Sequence, residues 1–397
     1  MKNIVLMTTK YNDNKKDAWL TNELAYSIRD SGHNMTVVVF SWMPNDPETS
    51  VSNIDGVQVV RLKLPKWIYK KNIINTALKI FAFPFMARSF IKKNVKECDL
   101  LIANTPCVTI LGLSGLFKRR YNAYTYLVLW DFFPFYLKDL GLMRNKFNFK
   151  FFHFLEEWMY RSFDKIGCMT KGNEDFLKNN FKTIKKENIE ILPLWAKTKK
   201  LKEIDRQAVR SKFNLPCDDV IIIYGGAMSV VQELENYLEL AKKFQGGNVS
   251  FIMVGTGTEK EKLKEIAEKD EIKNLTFIDY VPRDEYEELV GSCDIGFISL
   301  SRKLTVPSFP SKSLDYFKVA IPILASLDPI TDFGDILENR IGAGYSVVAG
   351  NLDELESKAT LLINDSDLRE NMGKAGRKYY EEFLTVENAK NIIMSKI

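Results

Sequence analysis

At 397 residues, with 46% apolar side chains and 26 phenylalanines, the chain can bury two cores of about 200 residues each, and its composition excludes a disordered or fibrous protein. The net charge of +5 hides an asymmetry, because residues 1–200 carry 32 Lys/Arg against 18 Asp/Glu and residues 201–397 carry 24 against 33. The first half should therefore meet something anionic.

Five cysteines, at positions 98, 107, 168, 217 and 293, form no C-x-x-C pair and read as buried, reduced thiols of a cytosolic protein. With only two histidines besides, nothing builds a zinc site. The opening run Met1–Met7 is too short for a signal peptide and reads as a first strand. An uncharged stretch at 100–117 holds Asn104, Thr105, Pro106, Thr109, Gly112, Ser114 and Gly115. It is too polar and broken to span a bilayer and reads as a strand followed by an internal helix.

Strand and helix alternate through the first half. Ile4–Met7 is apolar, Lys16–Ser31 has helical spacing through Leu20, Leu24 and Ile28, Gly32-His33 turns the chain, and Met35–Phe40 is a second strand. His33 reads as a local turn residue rather than a catalytic one. Further strands are expected at Val57–Leu62, Leu100–Ala103 and Tyr124–Leu129, an order that gives a doubly wound α/β domain. Asp131 then sits at the carboxyl end of a parallel strand, where open α/β sheets bind ligands; capping of the next segment is the competing reading. An aromatic helix is predicted over Phe147–Arg161, a strand and turn over Asp164–Lys171, and a last strand over Ile189–Trp195. Charge-rich residues 197–210 mark a linker, with the hinge near Ala196–Lys202.

The alternation restarts with strand Val220–Tyr224 running into Gly225-Gly226, helix Glu233–Phe244, strand Val249–Val254 and the turn Gly255-Thr256-Gly257, whose glycines read as plain turn residues. Phe277–Pro282 is a loop before helix Asp284–Val290, and Asp294–Ile298 is the next strand. Pro310 and Ser311 then start a short helix, which Ile321-Pro322 stops before strand Ile323–Ala325. The first turn of that helix combines unpaired backbone N–H groups with Ser311, Lys312 and Ser313: a phosphate seat, or an ordinary surface cap. Asp315, one turn on, is an acceptor placed for two ribose hydroxyls. Asp365-Ser366-Asp367 mimics a metal-binding D-x-D but precedes helical signals, so it reads as a cap.

The run Pro310-Ser311-Lys312-Ser313-Leu314-Asp315-Tyr316, followed by Pro322-Ile323-Leu324-Ala325, resembles the donor-binding element of GT-B glycosyltransferases of family 4, which assemble capsules, O-antigens and exopolysaccharides. The resemblance implies an α/β fold of two Rossmann-like, doubly wound domains facing across a cleft. Residues 1–198 would bind the acceptor and 199–397 the nucleotide sugar, with the last helix able to cross back. It also implies retaining, metal-independent transfer of a glycosyl group from a nucleotide donor, expected to be a UDP-sugar, to a glycan acceptor expected on a polyprenyl diphosphate. No cofactor and no nucleic-acid partner are expected. In these terms Lys312 is the catalytic cation for the departing diphosphate and Asp131 a second catalytic residue. Gly226, Gln232, Pro310, Ser311, Ser313 and Asp315 contact the donor, and main-chain groups at Tyr280 and Val281 read a uracil edge.

The chain also departs from that family. Trp130 stands where relatives carry histidine, Ala227 and Gln232 where they carry arginine and lysine, and Pro307 in place of the first of two glutamates. The loop Thr8–Asn14 lacks the usual glycines; Asn12, assigned to the acceptor, and Asn14 are the residues able to take left-handed backbone there. A nucleotide-sugar 2-epimerase of the same fold and a non-catalytic partner protein remain alternatives.

Residues 61–96 contain ten basic residues and no acidic one, interleaved with aromatics. Pro65 and Pro84 are expected to break this run into pieces that lie on an anionic membrane surface through Lys70, Lys71, Lys92 and Lys93. A solvated helical face whose aromatics pack on the domain is the competing reading, and nucleic acid is a third possible anion. With a lipid-linked acceptor, the protein would sit peripherally on the inner face of the cytoplasmic membrane.

Overall fold

The computed structural model describes residues 1–14, 18–70, 73–105, 110–198, 200–201 and 203–397, with the backbone alone at 73 and 74. Lys16, Lys71, Pro106, Cys107, Thr109 and, in the expected hinge, Lys199 and Lys202 lie outside the described residues. Two compact units are present: Met1–Lys138 with Met143–Lys197 and Thr385–Ile397, and Asp139–Leu142 with Thr198–Leu384.

In the first unit the strands are β1 (Asn3–Thr8), β2 (Asn34–Ser41), β3 (Ser50–Ile54), β4 (Val57–Lys63), β5 (Leu100–Asn104), β6 (Tyr124–Leu129), β7 (Lys165–Cys168) and β8 (Ile189–Ile191). They form one sheet in the order β3-β4-β2-β1-β5-β6-β7-β8. All neighbours are parallel except β3 and β4. Near-continuous apolar runs such as Val37–Phe40 and Leu100–Ala103 are buried because helices cover both faces of a parallel sheet. The edge strand β3 has no such run; it forms through the turn Asp55-Gly56, where both residues have positive φ (49° and 78°), the geometry of a tight hairpin. At the other edge, β8 stops at Ile191 rather than reaching Trp195, since Pro193 has no N–H for the ladder. Trp195 is buried off the sheet, its indole N–H donating to the Leu20 carbonyl at 3.0 Å.

The helices of this unit are α1 (Leu20–Asp30), α2 (Ile73–Asn94), α3 (Leu113–Tyr121), α4 (Phe135–Asp139), α5 (Lys146–Tyr160) and α6 (Lys171–Asn180). The expectation that Pro84 divides the 61–96 segment is corrected: α2 runs through it. A proline there removes one hydrogen bond, but Ile80, Phe83, Ala87 and Ile91 are buried at helical spacing and hold the helix together.

The second unit has a six-stranded, all-parallel sheet in the order β11-β10-β9-β12-β13-β14. Its strands are β9 (Val220–Gly225), β10 (Val249–Val254), β11 (Leu275–Ile278), β12 (Ile295–Ser299), β13 (Ile323–Leu327) and β14 (Gly344–Val348). Around it lie α7 (Arg206–Lys212), α8 (Glu235–Lys243), α9 (Lys260–Lys269), α10 (Arg283–Gly291), α11 (Lys312–Lys318), α12 (Phe333–Asp335, continuing as a π-helix over Ile336–Ile341), α13 (Leu352–Asn364) and α14 (Ser366–Phe383). Asp365 caps α14 by accepting from Leu368 N at 2.8 Å, as its sequence context predicts. The final helix, α15 (Val386–Met394), belongs to the first unit. There Thr385 bridges Ala196, and Lys396 pairs with Glu190 at 2.7 Å.

Cys98, Cys168 and Cys293 are buried as expected, whereas Cys217 is exposed. Among the described residues no helix is long and apolar enough to cross a membrane.

Candidate functional site

At the carboxyl end of β9 the chain turns through Gly225 and Gly226, the latter at φ +125°, a backbone that side chains rarely tolerate. A Cβ on Gly226 would lie 2.9 Å from Cε of Lys312, so the turn and the first residue of α11 touch. The adjoining turn after β10 comes so close that a Cβ on Gly255 would overlap the Gly226 carbonyl. Gly255 is thus a close-approach residue and more than a plain turn former. The Lys312 ammonium donates to Gln232 Oε1 at 3.0 Å and sits 5.2 Å above the Tyr224 ring. Burial lowers its pKa to about 8, offset in part by Asp315. Gly226, Gln232 and Lys312, spread over 87 positions of sequence from first to last, therefore converge.

Tyr316 explains how α11 is held there. Its buried hydroxyl lies 3.1 Å from the Ile223 carbonyl and 3.0 Å from that of Phe297, and accepts from Gly225 N at 3.4 Å. The helix is thereby pinned to β9 and β12. Ser313 is committed: its buried hydroxyl donates to the Pro310 carbonyl at 2.7 Å and closes the turn. Pro310 is buried beside it, while Ser311 is exposed and caps nothing with its side chain. Asp315 is half-buried, and its ion-pair partner Lys318 is 3.8 Å away, a distance that leaves its oxygens open to hydroxyl donors.

Tyr280 is exposed and Val281 partly so. Their loop is tied to the glycine turn by a residue the sequence reading passed over, Lys260, which is buried and donates to the Gly255 carbonyl at 3.0 Å and to Asp279. A second unforeseen tie is Glu233, in left-handed backbone at φ 43°, which accepts from Ser301 Oγ at 3.0 Å and from Arg302 N at 2.9 Å. Asp328, directly after β13, is a third such residue. One of its oxygens takes the Ile330 and Thr331 amides at 2.9 and 2.8 Å, the other is buried without a partner, and burial raises its pKa. Lys260 and Glu233 belong to no recognisable local motif, so only their contacts could have exposed them, whereas Asp328, ahead of Pro329 and bonded to the amides two and three residues on, carries the local signal of an Asx turn.

In the first unit, Asp131 follows β6, with its own N–H and that of Trp130 both held by Thr105 Oγ1 at 2.9 and 2.8 Å. Solvent reaches the side chain, yet protein crowded around the carboxyl pushes its pKa up to about 6, and the nearby Lys10 ammonium opposes this. Its carboxylate accepts no hydrogen bond from a described residue, so the capping role is not seen. Behind it, Glu156 is fully buried, takes the Tyr160 hydroxyl at 2.7 Å, and is held well above the usual carboxylate range by burial.

The Thr8–Asn14 loop does not use left-handed backbone at Asn12 or Asn14, correcting that expectation. The Asn22 side chain clamps it instead, accepting from Asn12 N at 3.1 Å and donating to Asn12 O at 2.8 Å. A polar pocket of about 330 Å³ opens beside this loop, lined by Lys10, Asn12, Asp13, Ser41 and the buried Arg61 among others.

The basic segment is smaller than its sequence suggests. Arg61 pairs with Asp13, Lys63 is turned onto the Asp46 carbonyl at 2.6 Å, and Lys79 lies 4.4 Å over the Trp42 ring. Lys70, Lys92 and Lys93 are exposed, whereas Lys71 lies outside the described residues.

Two doubly wound, largely parallel sheets, the second with a glycine turn, a cation and a carboxylate gathered at the carboxyl ends of its strands, define the GT-B fold of glycosyltransferases. Solved structures agree along the whole chain. Sucrose-phosphate synthase from Thermosynechococcus elongatus is 13% identical with a TM-score of 0.75, the match covering 100% of this chain and 98% of that one. Anabaena HepE in complex with UDP is 12% identical with a TM-score of 0.69, covering 99% of each. Residues 205–379 match the family model described as Glycosyl transferases group 1, so the chain carries a domain of that family. The WcaI protein of Escherichia coli (strain K12), assigned as a glycosyl transferase of colanic acid biosynthesis, is 24% identical over 210 residues, 52% of this chain and 51% of that protein. The matched region thus spans about half the length of this curated relative. At the level of fold and domain, the resemblance drawn from the Pro310–Tyr316 run is borne out.

Proposed function

We propose that the protein is a retaining glycosyltransferase that moves a sugar from a UDP-sugar to a lipid-linked glycan acceptor in surface polysaccharide synthesis. The observation that carries this reading is the convergence of Gly226, Gln232 and Lys312 beside the open carboxylate of Asp315. In this reading the second unit holds the nucleotide sugar. Asp315 takes the ribose hydroxyls, main-chain groups at Tyr280 and Val281 meet the base, and Lys312 with the amides of the glycine turn meets the diphosphate.

Chemically, the bond from the anomeric carbon to the diphosphate oxygen breaks and a bond from that carbon to the acceptor hydroxyl oxygen forms on the same face. The acceptor proton leaves with the departing phosphate. Negative charge grows on the diphosphate in the transition state, so a preorganised cation in a partly desolvated place stabilises it more than it stabilises the ground state. Gln232 supports this by fixing the ammonium with a neutral acceptor, which leaves the full positive charge for the ligand. Asp131 meets the reacting hydroxyl or the transferred sugar, and Asn12 lies on the acceptor side.

A lipid-linked acceptor places the protein on the inner face of the cytoplasmic membrane, with Lys70, Lys92 and Lys93 facing anionic headgroups at about 1 kcal/mol each. Release of UDP from a panel of UDP-sugars, with and without a polyprenyl-diphosphate glycan, tests the reading. Acceptor-dependent release of UDP with a retained anomer is expected. Interconversion of the nucleotide sugar without acceptor identifies an epimerase, and no turnover with any donor identifies a non-catalytic protein.

A further inference from the structure

Among the described residues, helix α5 carries an outward-facing aromatic stripe that the reaction does not use. Phe147, Phe151, Phe154 and Trp158 follow one another at i, i+4, i+7 and i+11, which at ~3.6 residues per turn puts them within about 60° of one another. All four are exposed, Phe147 at 77% and Phe154 at 63%. The opposite face is where the helix is anchored: Glu156, Met159 and Tyr160 are buried, Phe152 packs on Phe133, and His153 stacks on Phe181 at 4.7 Å. The helix therefore needs nothing from the stripe for its own packing.

A neighbouring helix extends the surface. On α2, Leu78, Phe81, Phe85 and Met86 are exposed, Phe85 at 77%. The two helices meet over Gly112, where a Cβ would lie 3.2 Å from the Arg88 guanidinium and 3.7 Å from the Trp158 ring. With aromatic side chains of roughly 150–250 Å² each, the joined faces expose on the order of 800 Å² of apolar side chain, above the 300–600 Å² of the largest patch on an ordinary monomer.

Charge selects the occupant. Lys150 on α5 and Arg161 just after it flank the stripe, and Arg88, Lys92 and Lys93 follow it on α2, all exposed. The acidic residues of α5 are turned away, Glu156 buried and Glu157 accepting from Thr183 N and Oγ1 at 3.0 and 2.7 Å. Aromatic rings flanked by cations, on two helices whose only acidic residues are turned away, suit the headgroup–acyl boundary of an anionic bilayer, where rings enter the apolar layer and long basic side chains reach phosphates.

We propose that the α5 stripe, joined to the exposed face of α2, is a monotopic membrane-insertion surface for anionic lipid. The inference rests on the membrane-bound reading above and adds the element that enters the bilayer: aromatic insertion on α5, with adsorption of lysines in a supporting part.

The test compares the full chain with the triple variant F147S/F151S/F154S on vesicles of phosphatidylglycerol mixed with phosphatidylcholine, at low salt and at about 1 M salt, where the Debye length is ~3 Å. The parent is expected to stay bound in high salt and the variant to bind at least tenfold more weakly, with an unchanged melting temperature. A second measurement is the fluorescence of parent and W158F with lipids brominated on the acyl chain. Quenching present in the parent and reduced in W158F places the indole in the bilayer. Equal binding by parent and triple variant, complete release of the parent by salt, or concentration-dependent self-association with no vesicle binding each overturns the proposal. Transfer to a detergent-dispersed acceptor, measured alongside, separates the two readings. Activity there without vesicle insertion overturns this surface alone, whereas insertion without any transferase activity overturns the proposed function and leaves the surface standing.

Discussion

Replacing Lys312 by methionine should make the protein more stable and, at the same time, unable to bind nucleotide diphosphate tightly. Burial lowers the Lys312 pKa from 10.5 to about 8, and each pKa unit is worth about 1.4 kcal/mol, so keeping this ammonium protonated costs the folded state about 3 kcal/mol. The cost is present in full below about pH 8. It is relieved as pH rises from about 8 toward 10.5, because in that window the unfolded chain holds the proton and the folded one does not. Methionine keeps most of the volume and removes the charge, but leaves Gln232 Oε1 without its donor, so a net gain of about 1–2 kcal/mol at pH 7 is expected. A bound diphosphate restores the reason to protonate. UDP should therefore bind with uptake of a proton above pH 8, and its affinity should fall with further rise in pH, by up to about tenfold per unit. Phosphate ionisation does not interfere, its second pKa being about 6. Calorimetric titration with UDP at pH 7 and pH 9, in pairs of buffers with different ionisation enthalpies, reads both affinity and proton uptake. A pH-independent affinity with no proton uptake, together with UDP binding by K312M equal to the parent, would refute the assignment of the diphosphate to Lys312.

The Asp315→Ala variant should lose about 1–3 kcal/mol of UDP affinity through the ribose hydroxyl bonds, with deoxyribose analogues losing less between parent and variant. For Asp131, whose pKa is pushed up to about 6, the carboxylate forms only above that pH, so turnover should rise through pH 6 on the acid side. Asp131→Asn should lower turnover at least tenfold and flatten that limb without lowering the melting temperature; an unchanged pH–rate profile would remove Asp131 from the reaction. Arg210→Met should cost about 3–5 kcal/mol in denaturant unfolding, because the buried guanidinium binds Asp294 at 2.7 Å and the Ser292, Cys217 and Asp219 carbonyls at 2.8–2.9 Å.

Much of the architecture was legible in local pattern. A parallel strand covered on both sides must be apolar throughout, so β1, β2, β5, β6, β9, β10 and β13 announce themselves as short apolar runs, and a strand–helix alternation then leaves few topologies. Elements whose stability comes from neighbours were not legible. β3 is a polar edge that exists because β4 lies beside it. The sequence extends β8 to Trp195 because Leu194 and Trp195, buried off the sheet, look like strand residues in one dimension. Pro84 reads as a break because its local cost is visible in the sequence and the compensating burial of Phe83 and Ala87 is not.

The site divides along the same line. Residue types at short spacing, Pro310 to Asp315, were enough to mark a helix start with a cation and a carboxylate, because a turn of helix is a local object. The chain's order could not say that the Lys312 ammonium would rest on Gln232 and above Tyr224, that Ser313 would be used up inside its own turn, or that Lys260 and Glu233 would tie the loops around them. Nor could it separate the exposed lysines of α2 from Lys63 and Lys79, which point inward, or the outward stripe of α5 from its packed face. Helical and strand periods depend on contacts a few residues apart, whereas burial and the shifted pKa values of Lys312 and Asp131 depend on groups brought together from distant positions, which only the packed fold supplies.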